Sequence, residues 1–309
     1  PSEILIILAF DVAPSLIFLG TLGNFLVLAT ILAIVLEDHS FPSSDILLTN
    51  LTIVNLLISI FWNIPEFILE SGVEMLLPLS WCRLFMFIWV WLRCVSIWVT
   101  FLLSLFYFLK IKQHVRLSTK AREATFVSAT LLAIWLVNFA YAIPALFYAK
   151  ATSGNETVSL MIVSTTVKPF LGCVWNFPNA QAALAVSKSY LVIQEILPML
   201  LMLGTNLSTV YYLQKHMRSI GVERLHSLQV ERKAAKVIMA LVTLFVLCWG
   251  THLLAVNYYS YNRGSATSFI LTLANYSASL FIGFSPLILA MGHGKLRGKI
   301  CKILRIKLT

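Results

Sequence analysis

Seven long apolar segments constrain this chain more than any other feature of its sequence. Each approaches or exceeds the roughly 20 residues that a helix needs to cross about 30 Å of hydrocarbon. Hydrophobic residues make up 59% of the chain and charged residues only 12%, whereas soluble domains contain about 45–50% and 25%. We therefore predict an all-α membrane protein, a single domain over residues 1–309 built as a seven-transmembrane helix bundle. The predicted spans lie near 7–36, 44–70, 83–109, 124–148, 188–213, 234–259 and 267–291.

The basic residues indicate the orientation of the chain. Most of the 23 lysines and arginines fall in the segments 110–123, 214–236 and 295–307, all on one side of the predicted membrane. Cytoplasmic loops carry this excess, so we expect the N-terminus outside and the C-terminus in the cytosol. The loop 37–43 should also be cytoplasmic and has only acidic charges, which count little in this rule. The net charge of +10 is thus explained by topology, and no nucleic-acid partner is expected.

The segment 294–307 after the last span has an amphipathic pattern. Leu296, Ile300, Ile303 and Leu304 share one helical face, and basic residues surround the other. This pattern predicts a short interfacial helix that lies under the cytoplasmic leaflet of the lipid membrane.

Two cysteines and one asparagine fall on the predicted outer side. Cys82 lies at the outer end of the third span, and Cys173 lies in the long outer loop. Because the outside is oxidising, we predict a disulfide between them, the alternative being two free thiols. Of the Asn-x-Ser/Thr sites, only Asn155 lies outside the spans, and it is the predicted glycosylation site.

Several short features occur in an order that resembles class A-like G-protein-coupled receptors. Gly23-Asn24 is expected to break the first span, and the later features are Asn55, Trp135, Pro198, Cys248 to Gly250, and Phe284 to Ala290. The chain departs from the common pattern because Asn55 replaces the usual Asp, and "LFYFLKIKQH" replaces the usual Asp-Arg-Tyr. The usual Asn-Pro-x-x-Tyr is replaced by Ser285-Pro286-Leu287-Ile288-Leu289. These departures put the usual activation switches and a sodium site in doubt.

Longer segments narrow the resemblance. "LRCVSIWVTFLLSLFYF" and "LTNLTIVNLL" are similar to type-1 vomeronasal receptors, and "LCWGTHLLAVNYYSY" and "FSPLILAMGHGKLR" are similar to fish olfactory receptors class A-related. Membership implies a chemosensory receptor for a small-molecule odorant or pheromone, located in the plasma membrane of sensory cilia or microvilli. It also implies signalling through a heterotrimeric G protein of the inhibitory type.

The sequence supports three other functions less well. Bitter-taste receptors also lack the Asp-Arg-Tyr motif, but "GHGKLR" matches their tail motif only loosely. A secondary transporter would show internal repeats and broken helices at the midplane, and the two halves of the sequence show no similarity. No nucleophile-base pair or metal-spaced cluster suggests an enzyme, and we predict no cofactor and no metal site.

Polar residues at helical spacing suggest a pocket between the outer halves of the spans. The predicted ligand-binding residues are Asn63 and Glu66 in the second span, Trp89 and Arg93 in the third, Gln194 and Glu195 in the fifth, His252 and Val256 in the sixth, and Asn275 in the seventh. Asn24, Asn55, Ser96 and Ser285 are interpreted instead as polar residues that pack helices together.

Arg93 is the most unusual of these residues because a charge within a span costs roughly 2.5–3.5 kcal/mol. It follows Cys82 by 11 residues, or about 16 Å, too deep for its side chain to reach the headgroups. If the helices pack as in related receptors, Glu195 is the first candidate partner and Glu66 the second. Two interpretations remain open: a permanent pair that ties helices together, or an incomplete pair that binds a carboxylate or similar acceptor on the ligand.

Overall fold

The seven-helix prediction agrees with the architecture of the computed structural model. It describes residues 2–38, 41–63, 65, 77–112, 120–151, 173–219, 225–261, 277, 280–289 and 294–303. The helices are α1 Ser2–Asp38, α2 Ser43–Ile58, α3 Leu79–Lys112, α4 Lys120–Ala142, α5 Pro144–Tyr148, α6 Ala180–Ser189, α7 Leu197–Ser219, α8 Leu225–Tyr261, α9 Leu280–Leu289 and α10 Gly294–Ile303. Two π-helical stretches, Ser59–Asn63 and Tyr190–Ile196, continue α2 and join α6 to α7.

Six of the described helical segments are long and apolar enough to cross a membrane, and α9 is a shorter apolar helix. The first to third spans are formed by α1 to α3, and the fourth by α4 and α5. The fifth is α6 with α7, the sixth is α8, and the seventh contains α9. The helix of the fifth span begins at Ala180, before its predicted start. Its first turn is capped there, because the Asn179 side chain accepts a hydrogen bond from the backbone N–H of Ala182 at 2.7 Å.

The first span is one continuous helix, so the predicted break at Gly23-Asn24 is wrong. The glycines serve a different purpose. A Cβ on Gly20 would lie 2.8 Å from the backbone oxygen of Ile282, and a Cβ on Gly23 would lie 2.8 Å from the ring of Pro286. Glycine is therefore needed there because the backbones of the first and seventh spans approach closely, and the helix itself tolerates it.

The third span lies at the centre of the bundle. It contacts the second, fourth, fifth and sixth spans, and Val90, Val95, Val99 and Leu103 along it are fully buried. The face of this helix that carries these residues is therefore surrounded by protein.

The outer loop contains a two-stranded antiparallel hairpin that was not predicted from the sequence. Strand β1 is Ala149–Ala151 and strand β2 is Cys173–Trp175, with Ala151 opposite Cys173. The predicted disulfide is present, because Cys173 is bonded to Cys82 with their Cα atoms 5.3 Å apart. The hairpin is thereby fixed to the outer end of α3, above the centre of the bundle.

Asn55 connects three spans deep in the bundle. Its Nδ2 donates to Ser285 Oγ in the seventh span at 3.4 Å, and its Oδ1 accepts from Ser96 Oγ in the third span at 3.5 Å. All three residues are buried. The interpretation of these residues as helix-packing residues is confirmed.

The amphipathic tail folds as α10 and packs on the first span. Leu296 and Ile300 are buried, as expected for its apolar face. Lys299 Nζ lies 2.5 Å from Glu37 Oε2 at the end of α1, so an acidic residue of the 37–43 loop partners a basic residue of the tail. Leu304 lies outside the described residues.

Candidate functional site

The π-helical stretch Tyr190–Ile196 contains two of the predicted ligand-binding residues, Gln194 and Glu195. Gln194 and Glu195 are buried within it, while Val192 and Ile193 are exposed. A π-helical turn takes an extra residue, and such turns are frequent at functional sites. Here the stretch brings two consecutive polar side chains into the protein from a helix whose other residues are mostly apolar.

Arg93 and Glu195 form a buried ion pair between the third and fifth spans. Nη2 of Arg93 lies 3.2 Å from Oε1 of Glu195, and Nε lies 3.4 Å from the same oxygen. The two residues are only 1% and 3% exposed. The first candidate partner for Arg93 is therefore confirmed, and the arginine stays within the bundle.

Trp249 supplies a third side to the site. The Cζ atom of Arg93 lies 4.0 Å from the centroid of the Trp249 ring, a cation–π contact with the sixth span. The ring of His252 packs edge-on against Trp249 with centroids 5.4 Å apart. The guanidinium thus contacts the fifth span through its Nε and Nη2 edge and the sixth span through one of its faces.

The Nη1 atom of Arg93 is buried and has no hydrogen-bond partner within the described parts of the chain. Buried charged donors nearly always have partners, because leaving one unpaired forfeits its hydration. The indole nitrogen of Trp249 is also buried and has no partner within those ranges. The arrangement therefore offers two donors, one of them charged, to an acceptor that enters the bundle.

Of the remaining predicted ligand residues, Trp89, Gln194 and His252 are buried. Trp89 is buried one turn toward the outside from Arg93, and His252 is buried beside Trp249. Gln194 is buried, but its Oε1 accepts a hydrogen bond of 2.6 Å from Trp98 Nε1, so it connects the third and fifth spans. Asn63 lies in the first π-helical stretch and Val256 in α8. Glu66, Asn275 and the predicted glycosylation site Asn155 lie outside the described residues.

Trp249 was not among the predicted binding residues. The signal that identifies it is its spacing, since it precedes His252 by three residues and so shares its helix face. Aromatic rings are good partners for a guanidinium that must be removed from water.

The polar cluster deeper in the bundle is uncharged among its described members. Asn55, Ser96 and Ser285 supply only neutral oxygens, and both ends of the Asn55 amide are already hydrogen-bonded. A small cation such as sodium gives up its water only for several oxygen ligands, and burial of its charge calls for a compensating carboxylate. The residues of this cluster do not fit a sodium ion.

The chain is similar to known receptors. Residues 23–287 match the 7 transmembrane receptor (rhodopsin family). The chain is 44% identical over 301 residues to olfactory receptor class A-like protein 4 of Danio rerio, covering 94% of this chain and 88% of that protein. It is 23% identical over 290 residues to olfactory receptor class A-like protein 1 of Danio rerio, covering 91% and 88%. It is also 26% identical over 258 residues to C-X-C chemokine receptor type 5 of Homo sapiens, covering 78% and 59%.

The family match covers most of the chain, and the helical bundle agrees with it. The chain is a multi-pass membrane protein of a non-enzymatic receptor class, and it belongs to the rhodopsin family of seven-transmembrane receptors.

Proposed function

We propose that this receptor is chemosensory and binds a small-molecule odorant or pheromone between the outer halves of its helices. The 44% identity to a protein named as an olfactory receptor supports this class. The motifs similar to type-1 vomeronasal and fish olfactory receptors support the same assignment. The receptor would then act in the plasma membrane of sensory cilia or microvilli.

The single observation that carries the binding site is the incomplete pairing of Arg93. Its Nε and Nη2 bind Glu195, while Nη1 is buried without a partner in the described ranges. A guanidinium that served only to tie helices would use its full hydrogen-bonding capacity, because each buried donor left unpaired is unfavourable. An acceptor on the ligand would complete the set.

The other predicted residues would form the walls around this anchor. Trp89, Trp249 and His252 supply aromatic surface next to the guanidinium. The hairpin that the Cys82–Cys173 disulfide fixes above the third span would limit access from outside. The further wall residues in the proposal are Asn63, Glu66, Gln194, Val256 and Asn275.

Binding would be coupled to a heterotrimeric G protein of the inhibitory type at the cytoplasmic ends of the spans. Basic residues in 110–123 and 214–236 would provide the contact surface. This coupling is tested by co-expressing the receptor with individual G proteins. Ligand-dependent nucleotide exchange on the inhibitory type supports it, and exchange on none of them, or only on other types, contradicts the proposed coupling.

The binding site is tested by substitution of Arg93 in a cell-based ligand screen. Arg93→Ala should abolish the response to every agonist found, when variant and wild-type receptor are compared at equal amounts on the cell surface. Arg93→Lys should retain part of it, since lysine keeps the charge but not the planar fork of donors. Arg83→Ala is the matched control on the same helix, because Arg83 is exposed and donates a hydrogen bond to the backbone oxygen of Ala149 in the hairpin. A normal dose-response from Arg93→Ala would contradict the proposal.

A further inference from the structure

Glu195 already neutralises the charge of Arg93 within the protein. Both side chains are almost fully buried, and the Nη2 to Oε1 distance is 3.2 Å. Among the described residues of the site, these two carry the formal charges, so together they have no net charge. The anchor therefore presents a strong hydrogen-bond donor without an excess positive charge.

The shape of the contacts leaves one edge of the guanidinium for a ligand. Glu195 occupies the edge formed by Nε and Nη2, and the ring of Trp249 covers one face at 4.0 Å. Nη1 is the donor that remains. A ligand atom bound to Nη1 would lie only a few ångströms farther from the Glu195 carboxylate than from the guanidinium. It would therefore interact electrostatically with both charges.

A ligand carboxylate is disfavoured at such a position. Its attraction to Arg93 is reduced by about half by repulsion from Glu195, because the Coulomb energy falls as the inverse of distance and the carboxylate lies only a few ångströms farther away. The loss of its hydration is not offset, and a buried unpaired charge is strongly unfavourable. An uncharged acceptor, such as the oxygen of a ketone, ester or amide, still binds the charged donor and loses much less hydration.

We propose that Glu195 determines ligand specificity, so that the receptor selects uncharged hydrogen-bond acceptors at Arg93 and rejects the corresponding carboxylates. This inference rests on the proposed function, since it presumes that ligands bind at Arg93. It adds the chemical class of the ligand's polar group and assigns a role to Glu195 beyond pairing.

The test uses matched probes that differ only in charge: hexanoate, benzoate and cyclohexanecarboxylate, each compared with its methyl ester and primary amide. The readout is the ratio of half-maximal concentrations, carboxylate over ester, measured within one variant so that differences in expression cancel. In the wild-type receptor the ratio should be at least about tenfold in favour of the ester. Glu195→Gln should lower this ratio at least about tenfold, a change of about 1.4 kcal/mol. Glu195→Asp keeps the charge and should keep the preference for esters.

The failures of the two proposals are distinguishable. If the wild-type receptor prefers carboxylates, or if Glu195→Gln leaves the ratio unchanged, while Arg93→Ala still abolishes the responses, only the specificity inference is overturned. If Arg93→Ala leaves the responses unchanged, or if none of the probes activates or thermally stabilises the receptor, the proposed site itself is contradicted. Surface labelling of each variant shows whether it reached the membrane.

Discussion

Removing the charge of Arg93 while keeping its bulk should destabilise the receptor through the residue left behind. Arg93→Met retains an unbranched apolar side chain at the centre of the bundle, but it leaves the Glu195 carboxylate buried without its counter-charge. The carboxylate cannot reach water from a position that is 3% exposed. Its desolvation is then uncompensated.

The magnitude follows from the geometry of the pair. At the Nη2 to Oε1 distance of 3.2 Å, two unit charges attract by about 5 kcal/mol at an effective dielectric constant of about 20. The contact with the Trp249 ring adds roughly 0.5–2 kcal/mol. Desolvation of the two ions opposes these gains by several kcal/mol each, so the intact pair contributes little net stability. Loss of one partner alone should cost about 3–5 kcal/mol.

The assay is the thermal unfolding of detergent-solubilised receptor together with surface expression. Arg93→Met should lower both, and the double variant Arg93→Met/Glu195→Leu should restore most of the loss, because it removes the stranded charge. Lys299→Met is the matched control, since its partner Glu37 has a side chain that is 67% exposed and the pair should contribute less than about 1 kcal/mol. If the double variant is as unstable as the sum of its single variants, the two side chains are not coupled and the reasoning is refuted.

Three further predictions follow from the fold. Gly20→Ala should lower the unfolding temperature in the same thermal assay, because its Cβ would lie 2.8 Å from a backbone oxygen of the seventh span. Gly204→Ala is the control and should be neutral or slightly stabilising, because its Cβ would have no neighbour within 4 Å. Replacing Cys82 and Cys173 by alanine should cost about 4.6 kcal/mol in the chain-entropy model for a separation of 91 residues, and should lower surface expression or ligand affinity while the spans remain folded. Labelling of both thiols on unreduced wild-type protein would contradict the bond. Replacing sodium by choline in the assay buffer should leave agonist potency unchanged, and a sodium-dependent shift in the wild-type receptor would show that the neutral Asn55 cluster does bind the ion.

The sequence was sufficient to predict the features for which physical chemistry leaves few possible arrangements. Apolar runs of span length fix the number of helices, because backbone groups in lipid must be satisfied internally. Arg93 and Glu195 were identifiable as partners because buried charges in spans are rare and need compensation. Cys82 and Cys173 were identifiable because both lie on the oxidising side.

The features that the sequence did not reveal depend on how helices rotate and approach one another. The contact of Arg93 with Trp249 requires a particular rotation of the sixth span, which side-chain packing determines and periodicity does not. The continuous first helix was not predicted because glycine has a low helix propensity. Gly23 is instead needed because a larger residue would clash with the ring of Pro286 in the seventh span. The π-helical stretch that holds Glu195 has no sequence signature of its own.

The most direct test of the central claim is an experimental structure of the receptor bound to an agonist from the ligand screen. The claim is that Arg93 is the ligand anchor because Nη1 is left over from its pair with Glu195. We predict an acceptor atom of the agonist within hydrogen-bond distance of Nη1, with Glu195 still bound to Nε and Nη2. An agonist bound elsewhere, with Nη1 hydrogen-bonded only to protein side chains, would show that Arg93 ties the helices together and does not bind the ligand.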